Sequence, residues 1–286
     1  MSTAWLDLMG TRFCQNFYQA GEINTRCLEA GSGEPLILLH GGGGYAEAYL
    51  KNLIPLSETF HVYAIDMIGH GFTDAPDVEY GIPLFVEHLK NFMDAAGLDQ
   101  AHISGESWGG WVAAWMAIKH PDRVKKLMLN TTAGIHETGT ERTGEMVARN
   151  RALGTSLTRE TVRKRLEWLF YKPEDVTDEM VEVRFRIYSR PEVLKAVVRT
   201  IDWAMSEEHK PYRLAPEIIE RIKSETSVVW TRHNPGTTIE AAEEKLHKPM
   251  PHWSFHVMEE CGHWPQWEQP EEFNRLVKEF FSSSGN

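Results

Sequence analysis

The sequence predicts an α/β fold in which a mostly parallel eight-stranded sheet carries helices on both faces and an inserted helical lid. Three observations lead to it. Apolar strand-like runs alternate with helix-like runs through residues 35–129, a charge-rich block at 134–214 reads as helices without intervening strands, and strand and helix resume from 227 onward. Such a block between two halves of a sheet is most simply a cap, so the expected division is core at 1–133 and 215–286, cap at 134–214. A chain of 286 residues is long enough for one large core with an insertion of this kind.

Each element has its own reason. Residues 12–30 read as two strands with a turn at Gly21-Glu22, an antiparallel hairpin at the sheet edge. The run at 35–39 is continuously apolar, the mark of a strand buried on both faces, and 60–65 gives the next strand. An amphipathic segment at 84–93 leads to a short apolar run at 101–104, a helix-like run at 111–118, a stop at His120-Pro121-Asp122 and a strand at 124–129. Helices are expected in the block at 141–153, 159–170, 178–188 and 192–205. The sheet then resumes at 227–231 and 253–258, with helices at 239–246 and 270–281.

Composition narrows the function classes. Hydrophobic residues make up 42% and charged residues 25%, a water-soluble globular balance with no apolar run long enough to span a bilayer. The start MSTAWLDLMG lacks a basic segment followed by an apolar stretch, so no secretory signal is expected. Cys14, Cys27 and Cys261 are far apart and odd in number, which suits free thiols in a reducing cytoplasm, and they show no metal-ligand spacing. A formal net charge of −11 argues against a nucleic-acid partner. Ten tryptophans fit a large core, although Trp108, Trp111, Trp264 and Trp267 fall beside the candidate catalytic residues and fit an aromatic-walled pocket as well.

The stretch HISGESWGGW, His102 to Trp111, is the centre of the chain. Gly105-Glu106-Ser107-Trp108-Gly109 is a Gly-x-Ser-x-Gly pattern that follows a strand-like run and opens a helix. A serine on such a sharp turn needs small neighbours, and the helix behind it aims its N-terminal N–H groups at the oxygen that becomes charged when a carbonyl is attacked. A Gly/Ser-rich turn without chemistry is the plain structural alternative. Upstream, His40-Gly41-Gly42-Gly43-Gly44 closes the 35–39 strand. Consecutive glycines add no packing, so they read as a loop whose free N–H groups serve an oxyanion. A phosphate loop would need Gly-x-x-x-x-Gly-Lys-Ser/Thr, which is missing.

A serine hydroxyl is a poor nucleophile until a base takes its proton. Among thirteen histidines, His263 in Cys261-Gly262-His263-Trp264-Pro265 lies on the loop after the 253–258 strand, where that base belongs. The acid that orients it should follow the 227–231 strand, where the chain reads Arg232-His233-Asn234-Pro235. Asn234 can hold the ring but cannot offset an imidazolium charge, a loss that costs a serine enzyme about four orders of magnitude in turnover. Papain-type cysteine enzymes do work with asparagine there. Another acid recruited nearby, an engineered loss, and a protein that binds more than it turns over all stay open. On this reading Asn234→Asp raises turnover with little change in fold.

Nearly the whole chain resembles the α/β-hydrolase fold family, through His40 to Gly44, Asp66 to Asp74, Gly105 to Gly110 and Cys261 to Trp267. Within it, the segment Cys261 to Glu268 is similar to the Gly-His-Trp-x-Gln-Trp-Glu segment of the meta-cleavage product hydrolases, which split a carbon–carbon bond in ring-fission products of aromatic degradation, and the tail Glu272 to Val277 is similar as well. Arg184 to Glu192 resembles the family stretch whose first arginine meets the substrate carboxylate, a group that a guanidinium binds bidentately. The resemblance implies Ser107 as nucleophile, His263 as base and Asn234 in the place of the acid. It also implies an oxyanion hole from the N–H groups of Gly42 and Trp108, and Gly41, Gly43, Glu106, Arg184 and Trp264 around the substrate. Glu106 stands where these enzymes usually carry asparagine.

The implied chemistry is ketonisation of a dienol, attack at the remote ketone, and release of an acid plus a 2-hydroxydienoate, with no cofactor or metal. The implied partner is a small molecule, a carboxylate-bearing dienone or an ester, with no nucleic acid and no membrane, in the cytoplasm; a homodimer stays open. An esterase or lactonase would share every residue named, and a low-turnover binding protein on the same scaffold is a further alternative. Haloalkane dehalogenase and epoxide hydrolase chemistry needs a carboxylate nucleophile where this chain has serine.

Overall fold

The computed structural model describes residues 6, 8–135 and 141–283. Among these, the strands β1 (Cys14–Ala20), β2 (Ile23–Ala30), β3 (Glu34–Leu39), β4 (Phe60–Ile65), β5 (Ala101–Glu106), β6 (Val124–Asn130), β7 (Glu225–Thr231) and β8 (Ser254–Met258) form one sheet. Its order is β1-β2-β4-β3-β5-β6-β7-β8. β1 pairs antiparallel with β2 and β2 with β4, and every other neighbouring pair is parallel. The expected hairpin sits at the sheet edge, turning through Gly21 at φ 64°.

Alternate residues of a strand point to opposite faces, and β3 is apolar from Leu36 to Leu39 because both of its faces are covered. Ile37 and Leu39 of β3 pack into one layer with Phe85 and Trp111, while Leu36 and Leu38 face the opposite layer with Leu53, Phe273 and Phe281. The first layer is built by helices α2 (Ile82–Ala95) and α3 (Trp108–Lys119), the second by α1 (Leu50–Ser57) and the C-terminal helix Pro270–Ser282. Helix α3 is apolar on every side because it is buried on every side from Trp108 to Ala117.

Between β6 and β7 come the helices α4 (Glu141–Thr155), α5 (Arg159–Leu169), α6 (Asp178–Tyr188) and α7 (Pro191–Met205). Thr158 starts α5 with a capping box, Thr177 caps α6, and Pro191 opens α7, where its missing N–H has no intrahelical partner to lose. These helices share a core of their own, with Val162, Leu166, Val181 and Ile187 packed beside Tyr45 and Trp264. Four helices were expected in this block, and their ends shift by a residue or two. Residues 136–140, at the start of the expected cap, lie outside the described residues. One expectation is altered: 239–246 is a single α-turn, Ile239–Ala242, followed by a π-turn, Glu243–His247, closed by Lys248 N–H on the Glu243 carbonyl at 2.8 Å.

Parallel pairing aligns the carboxyl ends of the strands at one edge. Leu39 is in register with Gly105, Glu106 with Asn130, and Thr231 with Met258. The chain leaves β3 for β4 on one side and returns to β5 on the other, so the loops after β3 and β5 face each other at a topological switch point. Ligands of open α/β sheets bind in such a crevice.

Candidate active site

Ser107 occupies the turn between β5 and α3 with φ 52° and ψ −113°, a left-handed conformation that costs a non-glycine residue about 1–3 kcal/mol. The surrounding hydrogen bonds enforce it. Its N–H donates to Asn130 O at 2.9 Å, and its carbonyl accepts from Trp111 N–H at 3.1 Å and Ala133 N–H at 2.9 Å. A Cβ at Gly105 would collide with the Gly109 carbonyl, and one at Gly109 with the Leu39 carbonyl, so this helix can begin so close to β3 only with glycine at both places.

The glycine loop lies across from this turn. Gly44 N–H closes a tight turn on Gly41 O at 2.9 Å, Gly43 takes φ 72°, and Tyr188 of α6 donates its hydroxyl to Gly43 O at 2.8 Å. The space above Gly42 is bounded by Trp108, whose Cβ would stand 3.8 Å from a Cβ at Gly42. His40 is a structural clamp: Met67 N–H donates to its Nε2 at 3.1 Å, which leaves Nδ1–H to donate to Gly41 O at 2.8 Å. Burial holds His40 neutral, its pKa pushed down to about 4. Beyond it, Asp66 accepts from Ala46 N–H at 2.6 Å and from Phe72 N–H at 2.8 Å, pairing with Arg26 at 3.1 Å, so the 66–74 turn braces the glycine loop.

His263 arrives on the loop after β8, fixed from several directions. Its N–H donates to Leu169 O at 2.6 Å, and its carbonyl accepts from Thr131 Oγ1 at 3.0 Å. The carboxylate of Glu268 accepts from Gly262 N–H at 3.0 Å, Trp264 N–H at 3.0 Å and Tyr171 N–H at 2.7 Å, tying the histidine loop to the helical block. Burial pushes the Glu268 carboxyl up in pKa, while these N–H groups and His263 pull it down. Sequence reading did not single out Glu268. The available signal was a carboxylate one helical turn beyond a glycine-flanked histidine.

The structure brings Ser107, Asn234 and His263 to one cavity of about 60 Å³, shared with Thr131, Arg165, Trp168 and Leu169. His263 Nδ1 faces Asn234 Oδ1 at 3.2 Å. The Nε2 side is different. No hydrogen bond joins it to Ser107 among the described residues, and the carboxylate of Glu106 stands 3.2 Å away, in contact with the imidazole as well as with Gly41. This pairing was not anticipated, because neighbouring positions on a strand point to opposite faces until the turn at Ser107 rotates the chain.

Arg184 is 2% exposed, on α6, stacked over Trp264 at 5.0 Å, Tyr45 at 5.4 Å and Tyr188 at 5.9 Å. Its Nε and Nη2 are buried without a hydrogen-bond partner among the described residues. A buried guanidinium with two open N–H groups is a ready site for an anion. Trp264 packs between Arg184 and Phe170, at 5.5 Å from the latter ring.

A family model for the alpha/beta hydrolase fold matches residues 34–270. The chain is 31% identical over 278 residues to the 2-hydroxy-6-oxo-6-(2'-aminophenyl)hexa-2,4-dienoic acid hydrolase of Metapseudomonas resinovorans, covering 94% of this chain and 91% of that one. It is 30% identical over 268 residues to the 2-hydroxy-6-oxo-2,4-heptadienoate hydrolase of Pseudomonas putida, covering 92% and 95%. Among solved structures, a variant of the meta-cleavage product hydrolase from Pseudomonas fluorescens IP01 matches with a TM-score of 0.81 at 29% identity, covering 93% of this chain and 97% of that one. A serine hydrolase involved in carbazole degradation matches with a TM-score of 0.82 at 28% identity, covering 95% and 99%.

Proposed function

The chain belongs to the alpha/beta hydrolase fold family, and from that premise we propose that it is a serine-dependent hydrolase cleaving a carbon–carbon bond in a meta-ring-fission product of the 2-hydroxy-6-oxo-dienoate type. The observation that carries the reading is Ser107 at φ 52°, at the head of α3, in a cavity shared with His263 and Asn234. The relatives named above, which are hydrolases of such dienoates, supply the substrate class.

In this mechanism Arg184 anchors the substrate carboxylate through its open N–H groups, with Trp264, Gly41 and Gly43 as walls. After ketonisation, His263 Nε2 takes the Ser107 proton as Oγ adds to the remote carbonyl. The N–H groups of Gly42 and Trp108 hold the oxyanion, helped by the α3 dipole. Collapse breaks the carbon–carbon bond, with the Nε2 proton passing to the leaving carbon, and water then hydrolyses the acyl-serine. Asn234 fixes the ring so that Nδ1 carries its proton.

Residues 134–214 act as the cap. Met146 of α4 and Arg165, Trp168 and Leu169 of α5 line the cavity beside Ser107, so these two helices roof the site and shape what enters it. The free cysteines accord with a reducing cytoplasm, and no described helix is long and apolar enough to cross a membrane.

The test is a parallel assay of a vinylogous diketo acid and a p-nitrophenyl ester. The expected result is a kcat/KM higher on the dienoate by more than about tenfold, ~1.4 kcal/mol in the barrier. The reverse order would make the enzyme an esterase.

A further inference from the structure

We propose that Glu106 supplies, from the Nε2 side of His263, the negative charge that Asn234 cannot supply from the Nδ1 side. The inference deepens the serine-hydrolase reading and rests on it. Asn234 Oδ1 accepts from Gly236 N–H at 3.0 Å, which identifies that atom as the oxygen, so at 3.2 Å the ring Nδ1–H donates to a neutral amide. An amide orients the ring and leaves its charge uncompensated.

On the other side, Glu106 is 1% exposed and its Oε1 lies 3.2 Å from Nε2. Neither carboxylate oxygen has a hydrogen-bond partner among the described residues, so Nε2 of the neutral ring keeps its lone pair for the Ser107 proton, and the contact becomes an ion pair only once the ring is protonated. A buried carboxylate with no donor is costly by itself, and it becomes satisfied when the imidazole beside it turns positive. Gly41 makes the slot: a Cβ there would stand 2.5 Å from Oε2 and 2.7 Å from Oε1.

The step balances without a further reactant. The Ser107 proton moves to Nε2, Oγ bonds to the carbonyl carbon, and the carbonyl electron pair moves to oxygen. Glu106 takes no proton and meets the new cation with its charge. Tyr49 and Arg165 interact electrostatically with Glu106, and Glu268 does so with His263. Tyr49 donates to Leu39 O at 2.9 Å and stays protonated through burial, and Glu268 is engaged by three N–H groups. Arg165 on α5 offers the pair a fixed positive charge, its pKa lowered by burial to about 10.

The experiment measures the rate at which a fluorophosphonate labels Ser107, from pH 5 to 9, in the full chain and in Glu106→Gln, Asn234→Asp and the double variant. Glu106→Gln is expected to slow labelling by at least about a hundredfold. It should also move the acid limb of the profile to lower pH, because the imidazolium has lost its partner, and leave the melting temperature equal or higher, because a buried charge is gone. Asn234→Asp should raise the rate far more in the Glu106→Gln background, where no other carboxylate meets the ring, than in the parent, so that the double variant recovers most of the loss. Wild-type labelling with an unmoved limb in Glu106→Gln, a lower melting temperature in that variant, or an equal gain from Asn234→Asp in both backgrounds would each overturn the proposal. Labelling that follows the expected pattern while no dienoate is hydrolysed would refute the substrate assignment and leave the Glu106 proposal standing.

Discussion

The backbone N–H of His263 donates to the carbonyl of Leu169 at 2.6 Å, so the loop bearing the proposed base is joined to the last residue of helix α5. Glu268 reinforces the joint through Tyr171, Gly262 and Trp264. The helical block and the loop of the proposed base are thereby tied together.

Glu268→Ala removes the charged acceptor for three partly buried N–H groups, each such hydrogen bond worth about 1–3 kcal/mol. Urea unfolding should show a loss of about 3 kcal/mol or more, and serine labelling should slow as the histidine loop loosens. A variant as stable and as reactive as the parent would mean that water replaces the clasp.

Ser107→Ala should abolish hydrolysis of dienoate and ester alike, with the fold retained. Ser107→Gly should be inactive too, yet more stable than the alanine variant by about 1 kcal/mol, since φ 52° strains any residue with a Cβ. Comparison of the two melting temperatures checks this. Equal values would place the strain elsewhere.

Arg184→Met should raise KM for a carboxylate-bearing dienoate by about a hundredfold while sparing a neutral ester, since the loss is one charge-assisted pair of hydrogen bonds. Ligand-free, the variant should melt no lower than the parent, because Nε and Nη2 are buried without partners. Equal damage to both substrates would remove the carboxylate role.

Buried histidines set an acid limit to stability. Burial holds His40 at about 4 and His70 and His88 at about 3, against 6.5 ordinarily. Their folded values lie below the unfolded one, so the unfolded chain binds more protons below pH 6.5. Stability present above that pH is lost as pH falls toward 4, by about 1.4 kcal/mol per pH unit for each histidine. Denaturant titrations at pH 7, 6 and 5 give the slope, and His70→Asn should reduce it by one histidine's share. A flat profile would show these rings charged in the folded chain.

The local code was strong where one segment carries its own reason. Residues 35–39 announce a strand buried on both faces, Gly105 to Gly109 a tight strand-to-helix turn, and the block before β7 a set of helices, because periodicity, glycine and charge act over short distances. Asn234 and His263 were placed as partners from strand order alone, and the parallel sheet brings them to 3.2 Å. Glu106 beside His263, Glu268 across Tyr171 and the open N–H groups of Arg184 depend on how loops from distant strands and the helical block meet at one edge. Side-chain direction after a turn, and burial by elements far along the chain, are properties of the assembled packing, and only the tertiary structure decided them.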